Sequence, residues 1–178
     1  MNWILTLIHN GKAMSEKAVA SFLAQDIPVK VWAVNNESRD GTAQWLNSVD
    51  DPRVVRVHYV PQLGVSKAWN RALSHLFANG AEHVLVANND VVLRPDTYRI
   101  LLADGGGFVT AVGNHDPASI KERWDLPSGN IRPHPDFSCF LIRKSAWEQV
   151  GPFDESMMSW ASDGDYHPQE HGLGIHAH

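Results

Sequence analysis

Val84-Leu85-Val86-Ala87-Asn88-Asn89-Asp90 is an apolar run that ends in two amides and one carboxylate. It is entered from a turn at Asn79-Gly80, and a run this short and hydrophobic reads as a buried strand. Buried parallel strands deliver their polar residues at the carboxyl end, where ligands of open α/β sheets sit. An Asp arriving there, flanked by amides that hydrogen-bond without adding charge, can hold a divalent cation bridging a diphosphate. The same residues also suit a plain Asn/Asp turn after a strand, so the rest of the chain has to decide.

Outward from this run, strands and helices alternate. Toward the N-terminus, Trp3–Ile8 reads as a first buried strand that exits at His9-Asn10-Gly11. Lys12 to Gln25 places Met14, Ala18, Phe22 and Leu23 near helical spacing, which predicts an amphipathic helix broken at Ile27-Pro28. Val29–Val34 is a second strand with the polar exit Asn35-Asn36-Glu37-Ser38, and Ser38 or Asp40 can cap the helix carrying Ala43, Trp45 and Leu46. Val54–Tyr59 is a third strand. Gly64 precedes a helix from Val65 to about Phe77, with Ala68, Trp69, Ala72, Leu73 and Leu76 along one side.

Toward the C-terminus, Arg94-Pro95-Asp96 starts another helix with Pro near its first position. Gly105-Gly106-Gly107 separates it from a strand at Phe108–Val112. This alternation, followed through residue 103, predicts right-handed crossovers and a mainly parallel sheet. Residues 114–136 contain four prolines and little periodicity, which suggests a long functional loop. Phe137–Ile142 is a further strand, Lys144–Val150 a short helix and Gly151-Pro152 a turn.

At 178 residues the chain suits one domain with a single sizeable core. Its 43% hydrophobic and 20% charged content is that of a globular protein rather than a disordered one. The net charge is −5, and no basic cluster exceeds the pair Arg143-Lys144, which argues against nucleic acid as a partner. The single cysteine, Cys139, rules out an internal disulfide and lies in an apolar run that favours a buried structural thiol over a nucleophile. Trp3–Ile8 is too short for a signal-peptide core, and nothing approaches the ~20 apolar residues of a membrane span. A soluble, cytoplasmic protein is the expectation.

Four polar clusters fall at strand exits or soon after: His9-Asn10, Asn35–Asp40, Asn88-Asn89-Asp90, and Asp163-Gly164-Asp165. One such cluster is a turn, whereas four on one sheet edge make a pocket. Their order resembles the family-2 glycosyltransferases with the GT-A fold. Asn35-Asn36-Glu37-Ser38-Arg39-Asp40-Gly41-Thr42 looks like that family's "DNxSxDGT" segment, and Gly64-Val65-Ser66-Lys67-Ala68-Trp69-Asn70 like its "GxxxAxN" helix start. Asn88-Asn89-Asp90 is similar to its DXD-type metal motif. Gly151-Pro152-Phe153-Asp154-Glu155 matches "GxFDE", and Ser162-Asp163-Gly164-Asp165 resembles the "EDxD" that follows. The pieces come in the family's order across residues 3 to about 175, most like the compact bacterial or phage-type enzymes.

The resemblance implies a single Rossmann-like GT-A domain over 1–178, a mainly parallel sheet flanked by helices. Residues 1–113 would form the nucleotide-sugar-binding half and 114–178 the acceptor and catalytic half. It implies an inverting, hexosyltransferase-like transfer of a sugar from a nucleoside-diphosphate donor to a hydroxyl acceptor, be it a glycan, a lipid-linked or another hydroxyl. Donor contacts would come from His9, Asn10, Asn35, Asn36, Ser38, Lys67, Asn88 and Asn89, with Asp90 coordinating Mn2+ or Mg2+. Asp163 would be the general base that takes the acceptor's proton, and Asp165 would orient the acceptor or a helix end. Phe153-Asp154-Glu155 would shape the acceptor side, with Asp154 structural, and Trp124 and Trp160 are candidates for stacking on a sugar face, with core or loop-anchoring roles as the alternative.

Several features depart from the family pattern. Asn35 and Asn36 stand where the family often has Asp, which leaves the nucleotide's identity open. Ser162 replaces the Glu that usually precedes the base. Family members also continue past "EDxD" to a His metal ligand, whereas this sequence stops at His178. Either His176 or His178 supplies that ligand, or the chain is a trimmed, impaired version that binds nucleotide sugars as a relic of the fold.

Two rival chemistries are weaker. His167-Pro168-Gln169-Glu170-His171 fits the H-x-x-E-H pattern of inverted zinc proteases, but Pro168 perturbs the helix that motif needs and only seven residues follow His171. A nucleotidyltransferase would carry a Gly-rich basic loop after its first strand, and His9-Asn10-Gly11-Lys12 is a poor version of one.

Overall fold

The first strand is central because both of its faces and both of its edges are covered. β1 (Asn2–Ile8) carries Ile4 and Ile8 at 0% exposure and pairs in parallel with β2 (Val29–Asn36) on one side and β4 (His83–Ala87) on the other. Strands buried in this way read as continuous apolar runs, which is what Trp3–Ile8 and Val84–Ala87 are. The structure, a computed structural model, describes residues 1–111 and 137–156.

β3 (Val54–Tyr59) lies parallel outside β2. Beyond β4 the sheet changes direction. β6 (Cys139–Arg143) runs antiparallel to β4, from His83 opposite Arg143 to Ala87 opposite Cys139, and β5 (Phe108–Thr110) pairs antiparallel with β6. The order is β3-β2-β1-β4-β6-β5, so the sheet is mainly parallel with one reversed strand inside its last three.

Alternate residues of each strand feed opposite cores. Leu5, Val84, Val86, Phe108 and Phe140 face α3 (Val65–Ala78), which contributes Trp69, Leu73, Leu76 and Phe77. Trp147 and Val150 of α5 (Lys144–Val150) pack against this side. Ile4, Ile8, Val31, Leu85 and Leu141 face α1 (Lys12–Leu23), α2 (Thr42–Ser48) and α4 (Thr97–Asp104), which supply Phe22, Leu46 and Tyr98. Cys139 is 4% exposed within β6, as expected of a structural thiol.

Some expected boundaries shift for local reasons. α1 buries Ser15, Ala18, Val19 and Phe22, and Met14 falls beside that stripe rather than on it, 52% exposed. β2 runs two residues past Val34, because Asn35 and Asn36 still pair with His58 and Tyr59. Pro95 precedes the N-cap Asp96 instead of occupying the first helical position, and its carbonyl accepts the Asp26 N–H at 2.7 Å. β5 stops at Thr110, short of Val112. Phe137 is buried but precedes β6.

Candidate active site

Because β1, β2 and β4 are parallel, their carboxyl ends open on the same edge of the sheet, and their polar exits meet there. β1 leaves through His9, Asn10 and Gly11. Asn10 has φ +62° and Gly11 φ +76°, left-handed conformations that turn the chain into α1. Gly11 is needed for a second reason: a Cβ there would stand 3.0 Å from Met14 Cε and 3.4 Å from Asn89 Nδ2.

The β2 exit is bonded to this turn. The Asn10 N–H donates to Ser38 Oγ at 2.9 Å, and the Arg39 N–H donates to Asn10 Oδ1 at 2.8 Å. His9 Nδ1 lies 2.8 Å from the Asn36 carbonyl. A carbonyl only accepts, so Nδ1 carries the hydrogen, and the neutral ring offers Nε2 as an acceptor. Asp40 ties the two helix starts together: one carboxylate oxygen accepts the Lys12 N–H at 3.0 Å, the other the Thr42 N–H at 3.1 Å and the Thr42 hydroxyl. The Thr42 hydroxyl first, then the Lys12 amide, hold its carboxyl down at about 2.

Asn35 and Asn36, expected to contact the nucleotide, are 3% and 2% exposed and their amides serve the protein. Asn36 accepts from the Leu63 N–H at 2.9 Å and donates to the Leu63 carbonyl at 2.8 Å, fixing the β3–α3 connection to β2. Asn35 Oδ1 accepts the Ser38 N–H at 3.1 Å, while its amino group lies 3.1 Å from His58 Nδ1. Each amide therefore has only a second lone pair or a second N–H to offer a ligand.

At the β4 exit, the Asn88 N–H donates to the Ser138 carbonyl at 2.8 Å, tying the turn to the segment before β6. Asn89 turns inward: its amino group donates to the Asn10 carbonyl at 3.2 Å and to Ser15 Oγ at 2.9 Å. Asp90 is exposed, and its carboxylate makes no hydrogen bond or ion pair to another described residue. Lys67 is exposed in the first turn of α3.

On the other side of the sheet, Asp154 is exposed and accepts the Ser156 N–H at 2.8 Å, which holds its carboxyl below the usual range. The segment it belongs to is clamped by Asn70, 6% exposed, which accepts the Phe153 N–H at 2.9 Å and donates to the Phe153 carbonyl at 2.8 Å and to Glu155 Oε1 at 3.1 Å. Asp163, Asp165, Trp124, Trp160, His176 and His178 lie outside the described residues. So do His167–His171 of the protease-like pattern.

The sequence reading assigned no role to Asn70 or Ser15, and gave Asp40, with Ser38, only as a cap for α2; Gly41 is the N-cap residue, and Asp40 accepts the Thr42 N–H just beyond it. Asn70 closes the "GxxxAxN" segment, which was a signal; Ser15, one polar residue on an amphipathic helix, offered none. Among the described residues no three His, Cys, Asp or Glu side chains gather as a metal cluster. The donor set at Asp90 still fits a cation that arrives with a diphosphate, since such sites use one or two carboxylates with phosphate oxygens and water completing the shell.

A mainly parallel, helix-flanked sheet with its polar strand exits latched into one edge is the GT-A form of the Rossmann-like fold. The sequence model of "Glycosyl transferase family 2" matches residues 3–153, and this chain belongs to that family. Among solved structures, a mannosyltransferase, PcManGT from Pyrobaculum calidifontis in complex with GDP-Man and Mn2+, superposes with a TM-score of 0.77 at 21% identity, covering 99% of this chain and 53% of that one. S. aureus TarS 1–349 in complex with UDP-GlcNAc superposes with a TM-score of 0.70 at 17% identity, covering 94% of this chain and 52% of that one. The chain thus spans about half the length of these structures. No curated protein matches it. No described helix is long and apolar enough to cross a membrane.

Proposed function

We propose that this protein is an inverting glycosyltransferase that moves a sugar from a nucleoside-diphosphate donor to a hydroxyl acceptor. The observation that carries this reading is the exposed Asp90 carboxylate at the β4 exit, which has no partner among the described residues and is held by the Asn89–Asn10 bond beside the loops that leave β1 and β2. In a family-2 chain, that is where a donor's diphosphate would lie against the sheet edge. The Mn2+ and GDP-Man of the mannosyltransferase and the UDP-GlcNAc of TarS support a nucleotide-sugar donor.

In this assignment His9 and Asn10 line the donor side with Ser38 and Lys67, and Asn88 meets the ribose or a water. Asp90 holds Mn2+ or Mg2+, which supplies neutralisation of the charge left on the departing diphosphate. Asp163 takes the proton of the attacking acceptor hydroxyl, a role worth about 10²- to 10⁴-fold in rate, and Asp165 orients the acceptor. One displacement inverts the anomeric carbon, so no nucleophilic side chain is required. The protein works in the cytoplasm.

A panel of nucleotide sugars with Mn2+, assayed for nucleotide release and for binding by calorimetry, tests this. Release with at least one donor is expected, lost in Asp163→Asn with donor binding retained. Asp90→Asn should weaken metal-dependent nucleotide binding at least tenfold, as when a charged partner is removed. Binding without release or transfer would favour a nucleotide-sugar-binding relic. No binding to any nucleoside diphosphate, with or without metal, would overturn both.

A further inference from the structure

The middle residue of the Asn88-Asn89-Asp90 turn does not face outward like the residue after it. Its half-buried side chain reaches back across the sheet edge, and its amino group donates to the Asn10 carbonyl at 3.2 Å and to Ser15 Oγ at 2.9 Å. Two acceptors use both N–H groups of one amide. Ser15 is 0% exposed, and its hydroxyl hydrogen goes to the Gly11 carbonyl at 3.0 Å, so its lone pair is what Asn89 meets. The chain Asn89–Ser15–Gly11 therefore closes under the β1–α1 turn and has no donor left over.

Asn10 is the other end of this connection. Its left-handed backbone, φ +62°, is uncommon for a residue with a Cβ, and although Asn tolerates it better than most, bonds to neighbours can fix it. Here they do so from three sides: Ser38 accepts its N–H, Arg39 donates to its side chain, and Asn89 donates to its carbonyl. Asn10 is thus where the exits of β1, β2 and β4 are joined, and Asn89 is the bond that brings in the β4 turn.

We propose that Asn89 is a positioning residue, acting through Asn10 and Ser15 to hold Asp90 against the β1–α1 turn, and that it does not contact the donor. The consequence for binding rests on the assignment of Asp90 to the diphosphate; the consequence for the loops does not. Ser15 separates a positioning role from a contact role, because a side chain buried in α1 cannot touch a ligand.

The test uses Ser15→Ala, Asn89→Ala and the double variant, with two readouts. Hydrogen exchange on the ligand-free protein should show residues 10–15 and 88–93 exchanging faster together in each single variant. Affinity for UDP and GDP with Mn2+ should fall about threefold in Ser15→Ala and about tenfold in Asn89→Ala, in keeping with Asn89 losing one and then both of its neutral hydrogen bonds. The double variant should be no weaker than Asn89→Ala, because both changes break one network. Losses that add, or an Asn89→Ala loss with Ser15→Ala like wild type in both readouts, would overturn the proposal and make Asn89 a ligand contact. Wild-type protein that binds neither of these nor any other nucleoside diphosphate would instead fail the functional reading, with the exchange data still deciding whether Asn89 positions the turn.

Discussion

Asp40 is exposed, yet its carboxyl is held at about 2 by the Thr42 hydroxyl and by the Lys12 and Thr42 amides. Its folded pKa lies below the model-peptide value of 3.8, so it favours the folded state at pH above that value and loses this contribution as pH falls toward 2. Asp40→Ala should lower the thermal midpoint at neutral pH and shrink the difference from wild type between pH 4 and 2. A difference that stays constant with pH would remove Asp40 from this role. His83 follows the same direction in a higher window. Burial first, then the Arg143 guanidinium and the N-terminal amine, push its pKa down from 6.5. The folded state disfavours the charged ring, so stability present above pH 6.5 is lost as pH falls through it. In His83→Gln the urea midpoint should depend less steeply on pH between 7 and 5; an unchanged slope would contradict this. At this scale the sequence located polar residues better than it read their tasks. Asn35 and Asn36 were legible as a strand exit because buried parallel strands carry most of their polar residues at their ends. That Asn36 spends both ends of its amide on Leu63 depends on where the β3–α3 connection passes, which no local pattern encodes.

Elements were legible wherever period and length agreed. α5 begins and ends at the residues expected, and α3 ends one residue beyond Phe77. Met14 was misplaced because, at 100° per residue, it lies roughly 90° from the centre of the stripe that Ser15, Ala18, Val19 and Phe22 form, although it is spaced four residues from Ala18. The direction of β6 could not be read at all: Phe137–Ile142 is apolar enough for a strand, and periodicity carries no sign for parallel or antiparallel. What places the return of the chain is a side chain on another element. Asn70, within α3, satisfies both the N–H and the carbonyl of Phe153 and meets Glu155. Asn70→Ala would remove the bonds that Asn70 makes to the buried Phe153 N–H and carbonyl, at about 1–3 kcal/mol each. A loss of about 2–4 kcal/mol in urea unfolding is expected, because loosening of the exposed end at Glu155 relieves part of the cost. A loss under about 0.5 kcal/mol, the level of an ordinary surface change, would show that the clamp does not hold the segment.

Across the whole molecule, the reversed strand decides whether the two halves can part. β6 sits between β4 and β5, so a segment from the second half of the sequence completes a sheet begun in the first. Phe140, 0% exposed on β6, faces the α3 side of that sheet, where its ring stacks on Phe108 at 4.9 Å and meets Trp69 of α3 edge-on at 5.5 Å. Leu141, the next residue, enters the core on the opposite face. Without β6, β5 would lose its sheet partner and the apolar β4 would become an exposed edge, a liability for aggregation. The domain should therefore unfold as one cooperative unit. Phe140→Ala removes a ring that touches both halves and should cost about 3–5 kcal/mol, a large share of the ~5–15 kcal/mol that holds a domain together. If the halves are one unit, the tryptophan fluorescence and far-UV circular dichroism transitions in urea shift together and remain superimposable. A variant in which part of each signal is lost early, while the rest, with Trp3, Trp32 and Trp45 still native-like, persists to a second transition would show that residues 1–111 stand without β6, and the nucleotide-side half would then be a domain in its own right.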